Sequence, residues 1–456
     1  MNINQEKEKI LDVVKDGKNV VIMGSGGTGK TFLIQRIREW ADGNGLNVGV
    51  TAMTGKAAII VKGSTIHSYA GIGILDNTPE HYIYKLKRSK PGGAGERIRM
   101  ADILIIDEFS MMSEFFLNFL YKVISEVRGG KKLQWIFCGD PKQLPPVHTS
   151  YEKDITKKRP CYESIMFQSM FGENIFVLKQ NFRHRDPVYS RCLEEIGKGI
   201  FTPETKALLE SRITEKNIMQ DIPHLYGVNY KADMHNDYRY DMINEKEFVY
   251  MFHDTFTSDK ENPNPIYARE LIDKMKRLSR FQEDVRLKKG TYVVCMANVD
   301  VEGGWANGTA GVVVGFFDKD CNRDVNKTAF TFPIVCKDKE KAIKYMKGEI
   351  PPITRKVEAI GDFRIFDGYD VCDMIEEKVG TVTRVGVPLA FGWAITIHKS
   401  QGSEFDELYV FSDDIWCEGQ AYVALSRVKT LQGLKLSSVP KIVSSKTAID
   451  FIEKYS

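Results

Sequence analysis

Residues Gly24 to Thr31 read GSGGTGKT and satisfy the phosphate-loop pattern G-x-x-x-x-G-K-[ST] in full. Gly24, Gly26, Gly27 and Gly29, with Ser25 and Thr28 between them, let successive backbone N–H groups curl around a phosphate. Lys30 has the reach and charge for β- and γ-phosphate oxygens, and the Thr31 hydroxyl suits Mg²⁺. A second constellation is Asp107-Glu108, two acids that end the apolar run Ile103-Leu104-Ile105-Ile106. Asp107 there would hold Mg²⁺, often through water, and Glu108 would polarise an attacking water. Taken alone, the pair reads equally well as a solvated strand end. Phosphoryl transfer needs metal placement and an in-line nucleophile together, and the phosphate loop supplies the missing half. Binding of a nucleoside triphosphate is the chemistry expected.

Those residues need a scaffold that delivers them to one place. The apolar run Asn19–Met23 leads into the glycine turn, and a helix with Phe32, Leu33, Ile37 and Trp40 as its apolar positions leads out of it. A purely structural glycine turn is disfavoured by that context, because the helix N-terminus adds a dipole suited to an anion. Up to about residue 180 the pattern predicts strands at Asn19–Met23, Asn47–Thr51, Ile103–Ile106, Leu133–Cys138 and Ile175–Leu178. Helices are predicted over Thr31–Ala41, Lys56–Val61 and Glu114–Val127. Such alternation makes a parallel α/β sheet, whose functional side chains gather at the C-terminal ends of strands. A helical stretch over Asp186–Lys198 and a strand–turn–helix unit over Asp221–Asn236 follow. After about residue 245 the runs Tyr292–Met296, Gly311–Phe317 and Ala329–Val335 are short, β-rich and separated by Asn, Gly and Asp, as in an antiparallel or barrel-like insertion. The α/β texture returns from Leu389.

The 456 residues suffice for two or three domains, and 43% apolar with 27% charged residues is ordinary for a globular chain. A net charge of +3 excludes a wholesale polycation, so any nucleic-acid surface is a local groove. The eight cysteines are scattered without a C-x-x-C pair, which predicts reduced thiols, an intracellular setting and no zinc site. The polar Met1–Lys9 stretch does not read as a signal peptide, and no apolar run approaches the roughly 18 residues that span a membrane.

Beyond the strand Leu133–Cys138 the chain reads Gly139-Asp140-Pro141-Lys142-Gln143-Leu144-Pro145-Pro146-Val147. With this segment the chain resembles the superfamily 1B DNA helicases, nearest the petite integration frequency (PIF) and RecD-like branch. The resemblance runs in order through almost the whole chain. Asp107-Glu108-Phe109-Ser110-Met111 resembles the DExSM segment, and Asn181-Phe182-Arg183 the FR motif. Asn307-Gly308-Thr309-Ala310-Gly311 matches an NGxxG turn. Trp393 to Gly402 (WAITIHKSQG) and Tyr422 to Arg427 (YVALSR) are long and diagnostic. Two departures bear on the subfamily alone. His184 stands where many PIF-type proteins have glutamine, and Arg128–Gln134 only partly matches the segment that marks that branch.

The resemblance assigns roles that the residue types can fill. Gln143, a neutral amide beyond a strand end, would sense the γ-phosphate and link it to bound DNA. Arg183 and Arg427 would clamp phosphate oxygens with fixed forks of donors; either alone would read as a surface ion pair. Glu404 matches an acid that bonds the nucleotide ribose, and Gln5 an adenine-reading glutamine. Thr54, Lys56, Ser64 and Thr65 on the first α/β domain would contact the DNA backbone, as would Thr396, His398 and Lys399 on the second. His67 would stack on a base or serve as a hydrogen-bonded structural residue. Between Gly71 and Met100, Tyr82, Ile83 and Tyr84 beside Lys85, Lys87, Arg88, Lys90, Arg97 and Arg99 suit either a duplex-splitting wedge or a solvated loop.

The architecture implied is two RecA-like parallel-sheet domains of the P-loop NTPase type with ATP in the cleft between them. The first would span residues 1–182 with a wedge insertion at about 72–100. The second would span 183–244 and 383–456, and a β-rich, SH3-like barrel insertion would occupy 245–382. The implied activity is a 5′→3′ DNA helicase using ATP and Mg²⁺ on single-stranded DNA and single-strand/duplex junctions, acting as a monomer without a membrane. RNA or an RNA–DNA hybrid suits the same backbone contacts. Competing readings are a translocase with little unwinding, a DNA-binding subunit with a dead ATPase fold and a small-molecule kinase. The intact catalytic set argues against the second, and the motifs after residue 300 have no role in the third.

Overall fold

A computed structural model describes residues 5–146, 159–182, 186–215, 222–258, 265–318, 331–351 and 361–456, apart from 74, 76, 280, 282, 298, 301, 302, 306, 378 and 379. Two compact units emerge: the described residues up to 215, with 222–229 and 395–456, form one, and the described residues of 230–394 the other.

The first unit is built on a six-stranded sheet in the spatial order Ser64–Thr65, Val48–Ala52, Ile103–Asp107, Gln134–Gly139, Val20–Gly24, Ile175–Leu178. Every neighbouring pair in it is parallel. The central strands are buried along their whole length, as a sheet covered on both faces requires. Alternate residues feed opposite cores. Val21, Met23, Leu104, Ile106, Trp135 and Phe137 face one cluster, and Val20, Ile22, Ile103, Ile105, Ile136 and Cys138 the other. The helix Lys30–Gly43 covers the second face with Leu33, Ile34, Ile37 and Ala41. Helix Glu114–Arg128 covers the first, joined by Ala448 and Phe451 of the helix Lys446–Tyr455. The consequence for chemistry lies in the strand order. Ile103–Asp107, Gln134–Gly139 and Val20–Gly24 are consecutive, so the loops carrying Glu108, Gln143 and Lys30 leave the same sheet end side by side.

The same unit holds a smaller sheet in the order Ala394–Thr396, His224–Tyr226, Leu408–Val410, Leu434–Leu436. Helices Pro187–Gly197 and Gln420–Leu425 pack on it through Tyr189, Ile196, Tyr422 and Leu425.

The second unit is antiparallel. A five-stranded sheet (Phe363–Ile365, Thr331–Cys336, Ala310–Asp318, Tyr292–Cys295, Leu389–Phe391) is accompanied by a three-stranded sheet of Asp370–Glu377, Gly380–Gly386 and His253–Thr257. Asp284–Leu287 pairs with Phe248–Met251. Trp305 is fully buried beside Phe366, and a bulge between Val313 and Gly315 re-aims the long strand. Gly311 in the NGxxG turn has no room for a side chain, since a Cβ would lie 2.7 Å from Val335 and 2.8 Å from the Cys336 carbonyl. Arg384 and Asp254 form a buried two-pronged pair at 2.7 Å per contact. Among the described residues no helix is long and apolar enough to cross a membrane.

Candidate active site

The strand Val20–Gly24 delivers the phosphate loop, and the loop cannot be built from other residues. A Cβ on Gly24 would lie 2.5 Å from the Thr28 hydroxyl, while Gly27 and Gly29 sit at φ +88° and +89°. Thr28 Oγ1 donates to the Ser25 carbonyl at 3.0 Å, closing the turn. Lys30 Nζ donates to the Gly24 and Ser25 carbonyls at 2.5 and 3.1 Å, which holds the ammonium against the loop. The strap after the sixth strand grips the loop from outside. Asn181 Nδ2 donates to the Gly26 carbonyl at 2.9 Å, and the Phe182 N–H to that of Gly27 at 2.9 Å. Lys7 is buried with its ammonium 4.4 Å from the Phe182 ring, and burial lowers its pKa. Gln5, on the same helix, is exposed at its first turn.

Asp107 closes its strand in a fully interior position, and Glu108 follows at φ +57°, the left-handed region. Such a conformation in a glutamate stores strain of the sort found at functional sites, of order 1–3 kcal/mol. Burial pushes the Asp107 carboxyl up to about 7; the Glu108 charge adds to the rise, and Lys30 opposes it. The Glu108 N–H donates to Asp107 Oδ1 at 2.9 Å, fixing the carboxylate's direction. Gln143 is buried, and its Oε1 has no partner among the described residues. A buried amide oxygen in that condition favours an arriving donor, whether water or a guanidinium.

The second sheet contributes Arg427, which is 3% exposed. Its Nε donates to the Val423 carbonyl at 2.9 Å, Nη2 to Ser426 Oγ at 2.8 Å and Nη1 to the Ser403 carbonyl at 3.4 Å. The segment bearing it is tied to the first sheet. Tyr422 OH donates to Asp140 Oδ2 at 2.6 Å, and Lys142 Nζ, 5.3 Å from the Tyr422 ring, donates to Ser25 Oγ at 2.8 Å. Gly419, at φ +72°, lets the chain approach the Gln143 carbonyl, where a Cβ would sit 2.5 Å away. Tyr422, Asp140 and Lys142 thus join the candidate site although sequence reasoning did not single them out; each stood inside a quoted motif. Arg183 lies outside the described residues, and Glu404 is exposed.

A cleft of about 380 Å³ borders this assembly, lined by Gly24, Ser25, Lys142, Asn181, Tyr422 and Ser426 among others. Lys30, Asp107, Glu108 and Gln143 are not in its lining, so the cleft flanks the acid pair rather than enclosing it. The donor set fits a Mg²⁺–nucleotide. One buried carboxylate and one hydroxyl next to a glycine cradle suit a metal that brings its own phosphate ligands, and no cluster of three or more His, Cys, Asp or Glu among the described residues could hold an ion alone.

The strand-binding candidates fall at one sheet edge, where Ala52 pairs with Thr65 and Thr51 with Ser64. Thr54 Oγ1 caps the helix Gly55–Ile60 by accepting from Ala57 N–H, and Thr65 Oγ1 caps Ile66–Ala70 by accepting from Ser68 N–H. Ser64 is half-buried beside them. One face of His67 is stacked on Phe116, centroids 4.7 Å apart and planes within 5°, and burial lowers its pKa, which favours the neutral ring. Lys56 is turned toward Ser403, whose hydroxyl accepts from its ammonium. On the second sheet Thr396 is buried and accepts from the Lys399 N–H at 3.4 Å; His398 is half-buried and Lys399 exposed.

The segment 71–100 requires a correction. It is two helices, Pro79–Lys87 and Ala94–Met100, and Tyr82 is 4% exposed, edge-on to Phe119 at 5.8 Å. Tyr82 is a core residue and cannot stack on a base. Tyr84 is exposed, under the Arg88 guanidinium at 3.6 Å.

Comparison with known proteins places these features in one group. The PIF1-like helicase family profile matches residues 2–199. An ATP-dependent DNA helicase Pif1 of Psychrobacter sp. is 29% identical, with 93% of this chain and 66% of that protein aligned. The ATP-dependent DNA helicase PIF1 of Candida albicans is 28% identical over 100% of this chain and 56% of its own length. The chain therefore spans about two thirds or less of these relatives. The crystal structure of Pif1 helicase from Candida albicans superposes with a TM-score of 0.77 at 28% identity, covering 100% of both chains. Bacteroides Pif1 bound to ssDNA shares the fold, with a TM-score of 0.70 at 23% identity over 100% of this chain and 97% of that one.

Proposed function

We propose that this chain, which matches the PIF1-like helicase family profile over residues 2–199, is an ATP-dependent DNA helicase moving 5′→3′ on single-stranded DNA. The observation that carries the reading is the convergence of Lys30, Asp107-Glu108 and Gln143 at one sheet end, with the Arg427 segment bonded to the same loops through Tyr422 and Asp140. Lys30 holds the β/γ-phosphates, Glu108 orients and deprotonates the attacking water, Gln143 reads the γ-phosphate, and Arg183 and Arg427 stabilise the transferring phosphoryl group. Thr31 and Asp107 would hold Mg²⁺, which neutralises developing phosphate charge when bound. Gln5 and Glu404 read the base and ribose. Residues 1–182 act as the first RecA-like domain with 72–100 as its wedge; 183–244 and 383–456 act as the second, with 245–382 inserted. Thr54, Lys56, Ser64, Thr65 and His67, with Thr396, His398 and Lys399, line the path of the DNA. Closure around ATP and reopening after hydrolysis would ratchet one domain past the other along the strand.

Hydrolysis of ATP with and without single-stranded DNA tests this, followed by strand separation on 5′- and 3′-tailed duplexes. Stimulated hydrolysis with unwinding confined to the 5′-tailed duplex is expected. Stimulation without unwinding of either substrate would leave a translocase, and no hydrolysis at all would end the reading.

The wedge gives a separable prediction. The base of 72–100 is structural: Tyr82, Leu86 and Ile98 are buried, and Gly95 packs on the Leu86 carbonyl. Its tip, Ser89–Gly93, joins the two helices. Shortening that tip should leave DNA-stimulated hydrolysis within about twofold while unwinding falls by roughly tenfold or more. Unwinding that survives the trimming would make the tip a solvated connection.

Asp107 gives a pH prediction. Its raised pKa means that the folded, nucleotide-free chain holds a proton which the unfolded chain releases near 4. This group's contribution to stability is therefore greatest at low pH and declines as pH rises toward about 7. Mg²⁺ competes with the same proton. Half-saturating Mg²⁺ for hydrolysis should rise up to about tenfold per pH unit below 7 and level off above it. A Mg²⁺ requirement that stays flat between pH 6 and 8 would exclude Asp107 as the ligand.

A further inference from the structure

The strand-binding edge and the buried arginine meet at one residue. Lys56 projects from the first turn of the helix Gly55–Ile60, beside Thr54, yet its ammonium donates to Ser403 Oγ. Ser403 is 4% exposed, and its carbonyl accepts from Arg427 Nη1 at 3.4 Å. A single serine therefore bonds Lys56 with its side chain and Arg427 with its main chain. The turn that presents it is close-fitting. Gly402 sits at φ +74°, and its Cβ direction points at Ile60, Ala57 and the Lys56 stem, each between 3.6 and 3.8 Å away.

The electrostatics give this junction a direction. Lys56 is half-buried, and its pKa is held down to about 8, chiefly by burial and next by the Arg427 charge. Two cations brought together in a partly desolvated place repel each other, and the pairing is relieved when an anion approaches either of them. A phosphate on the Lys56 side and a phosphate on the Arg427 side are the two anions that a DNA-stimulated ATPase offers. Because Ser403 holds both cations, an anion that draws Lys56 off the serine hydroxyl changes how the serine carbonyl holds Arg427, which is the form a coupling free energy takes. A hydroxyl suits the join, because it accepts from an ammonium without neutralising it and so leaves that charge felt on both sides.

Resting on the helicase reading above, we propose that Ser403 is a positioning residue that couples the two sites. Through Lys56 it senses occupancy of the strand-binding edge, and through its carbonyl it sets the Arg427 guanidinium for hydrolysis. Ser403 touches neither substrate in this scheme and acts through its two neighbours.

Ser403→Ala tests the proposal in the full chain, with hydrolysis measured with and without an oligothymidylate strand and strand affinity measured by anisotropy. Basal hydrolysis should stay within about twofold, because Arg427 keeps its bonds to Val423 and Ser426. Stimulation by the strand should fall by about fivefold or more, the lower range of ordinary coupling between sites. Strand affinity without nucleotide should be unchanged, and the change in that affinity on adding a non-hydrolysable ATP analogue should shrink with the stimulation. Ser403→Thr, which keeps the hydroxyl, should restore the coupling. Lys56→Met approaches the contact from its other end, and combining it with Ser403→Ala should add little further loss of stimulation. Undiminished stimulation in Ser403→Ala overturns the proposal. So does a Lys56→Met defect confined to strand affinity and additive with Ser403→Ala, which would make Lys56 an ordinary phosphate ligand. Wild-type hydrolysis that the strand does not stimulate would remove the helicase reading itself, a result distinguishable from both.

Discussion

Lys30→Ala should reduce ATP turnover by at least about 10²–10³-fold while leaving the chain folded, the scale expected when one preorganised charge on a reacting phosphate is removed. The ammonium is bonded to the loop's own Gly24 and Ser25 carbonyls and packs in no core. The helix it opens is anchored by Leu33, Ile34, Ile37 and Ala41, all buried, and alanine is the strongest helix former at the vacated position. Unfolding temperature should therefore move little, and the loop should keep its shape, because Asn181 and Phe182 hold Gly26 and Gly27 from outside. Phosphate release and a melting curve on the same preparation separate the two effects. Wild-type turnover in the variant would remove the phosphate-loop assignment, and a large drop in melting temperature would make Lys30 structural. A secondary effect sharpens the test. Lys30 opposes the rise of the Asp107 pKa, so its loss should drive that carboxyl further up.

The parts of this site that were legible from residue types are those written in consecutive positions. The phosphate loop, the acid pair and the buried strands before them carry their own pattern, since a strand covered on both faces is a continuous apolar run and its neighbour in sequence is its functional loop. The strand Ile175–Leu178 is reproduced, the other four expected strands of the first sheet differ only by a shift or extension at their ends, and the two-residue edge strand Ser64–Thr65 was not anticipated. Legibility fails where a side chain's partner is remote. Ser403 lies 347 positions from Lys56, and Tyr422 lies 282 from Asp140, so nothing local marks either contact. The basic stretch near Lys85–Arg99 drew attention to its charges. Yet Tyr82 and Leu86, four residues apart, are the helical spacing that buries one face. Thr54, Thr65 and Thr396 illustrate a different limit. A threonine at the start of a helix, as at Thr54 and Thr65, or of a turn, as at Thr396, bonds the backbone there whether or not it also meets a ligand. In the antiparallel unit the bulge at Val313/Gly315 breaks the two-residue period, so strand ends there could be placed only coarsely.

Glu108→Gln should bind ATP and DNA about as well as the wild-type chain and hydrolyse about 10²–10⁴-fold more slowly, the range attributed to a positioned general base. The amide keeps the size and reach of the carboxylate but accepts no proton at neutral pH. The backbone demands a control, because Glu108 occupies φ +57°, where a non-glycine residue is strained. Glu108→Gly removes that strain together with the side chain. If the carboxylate is the catalytic group, the two variants should be similarly slow although their backbones are under different strain. If Glu108→Gly instead hydrolyses near the wild-type rate, the residue's contribution is conformational. The neighbouring acid offers a reading of the same substitution that needs no turnover. Glu108 is the second cause, after burial, of the raised Asp107 pKa. Neutralising it should let the Asp107 carboxyl ionise at lower pH, so the pH below which Mg²⁺-dependent nucleotide binding weakens should move down in Glu108→Gln. Asp107→Asn should abolish that pH edge. A pH edge that stays fixed while hydrolysis collapses would mean the two carboxylates do not share a field, and Glu108 would then be acting from outside the metal site.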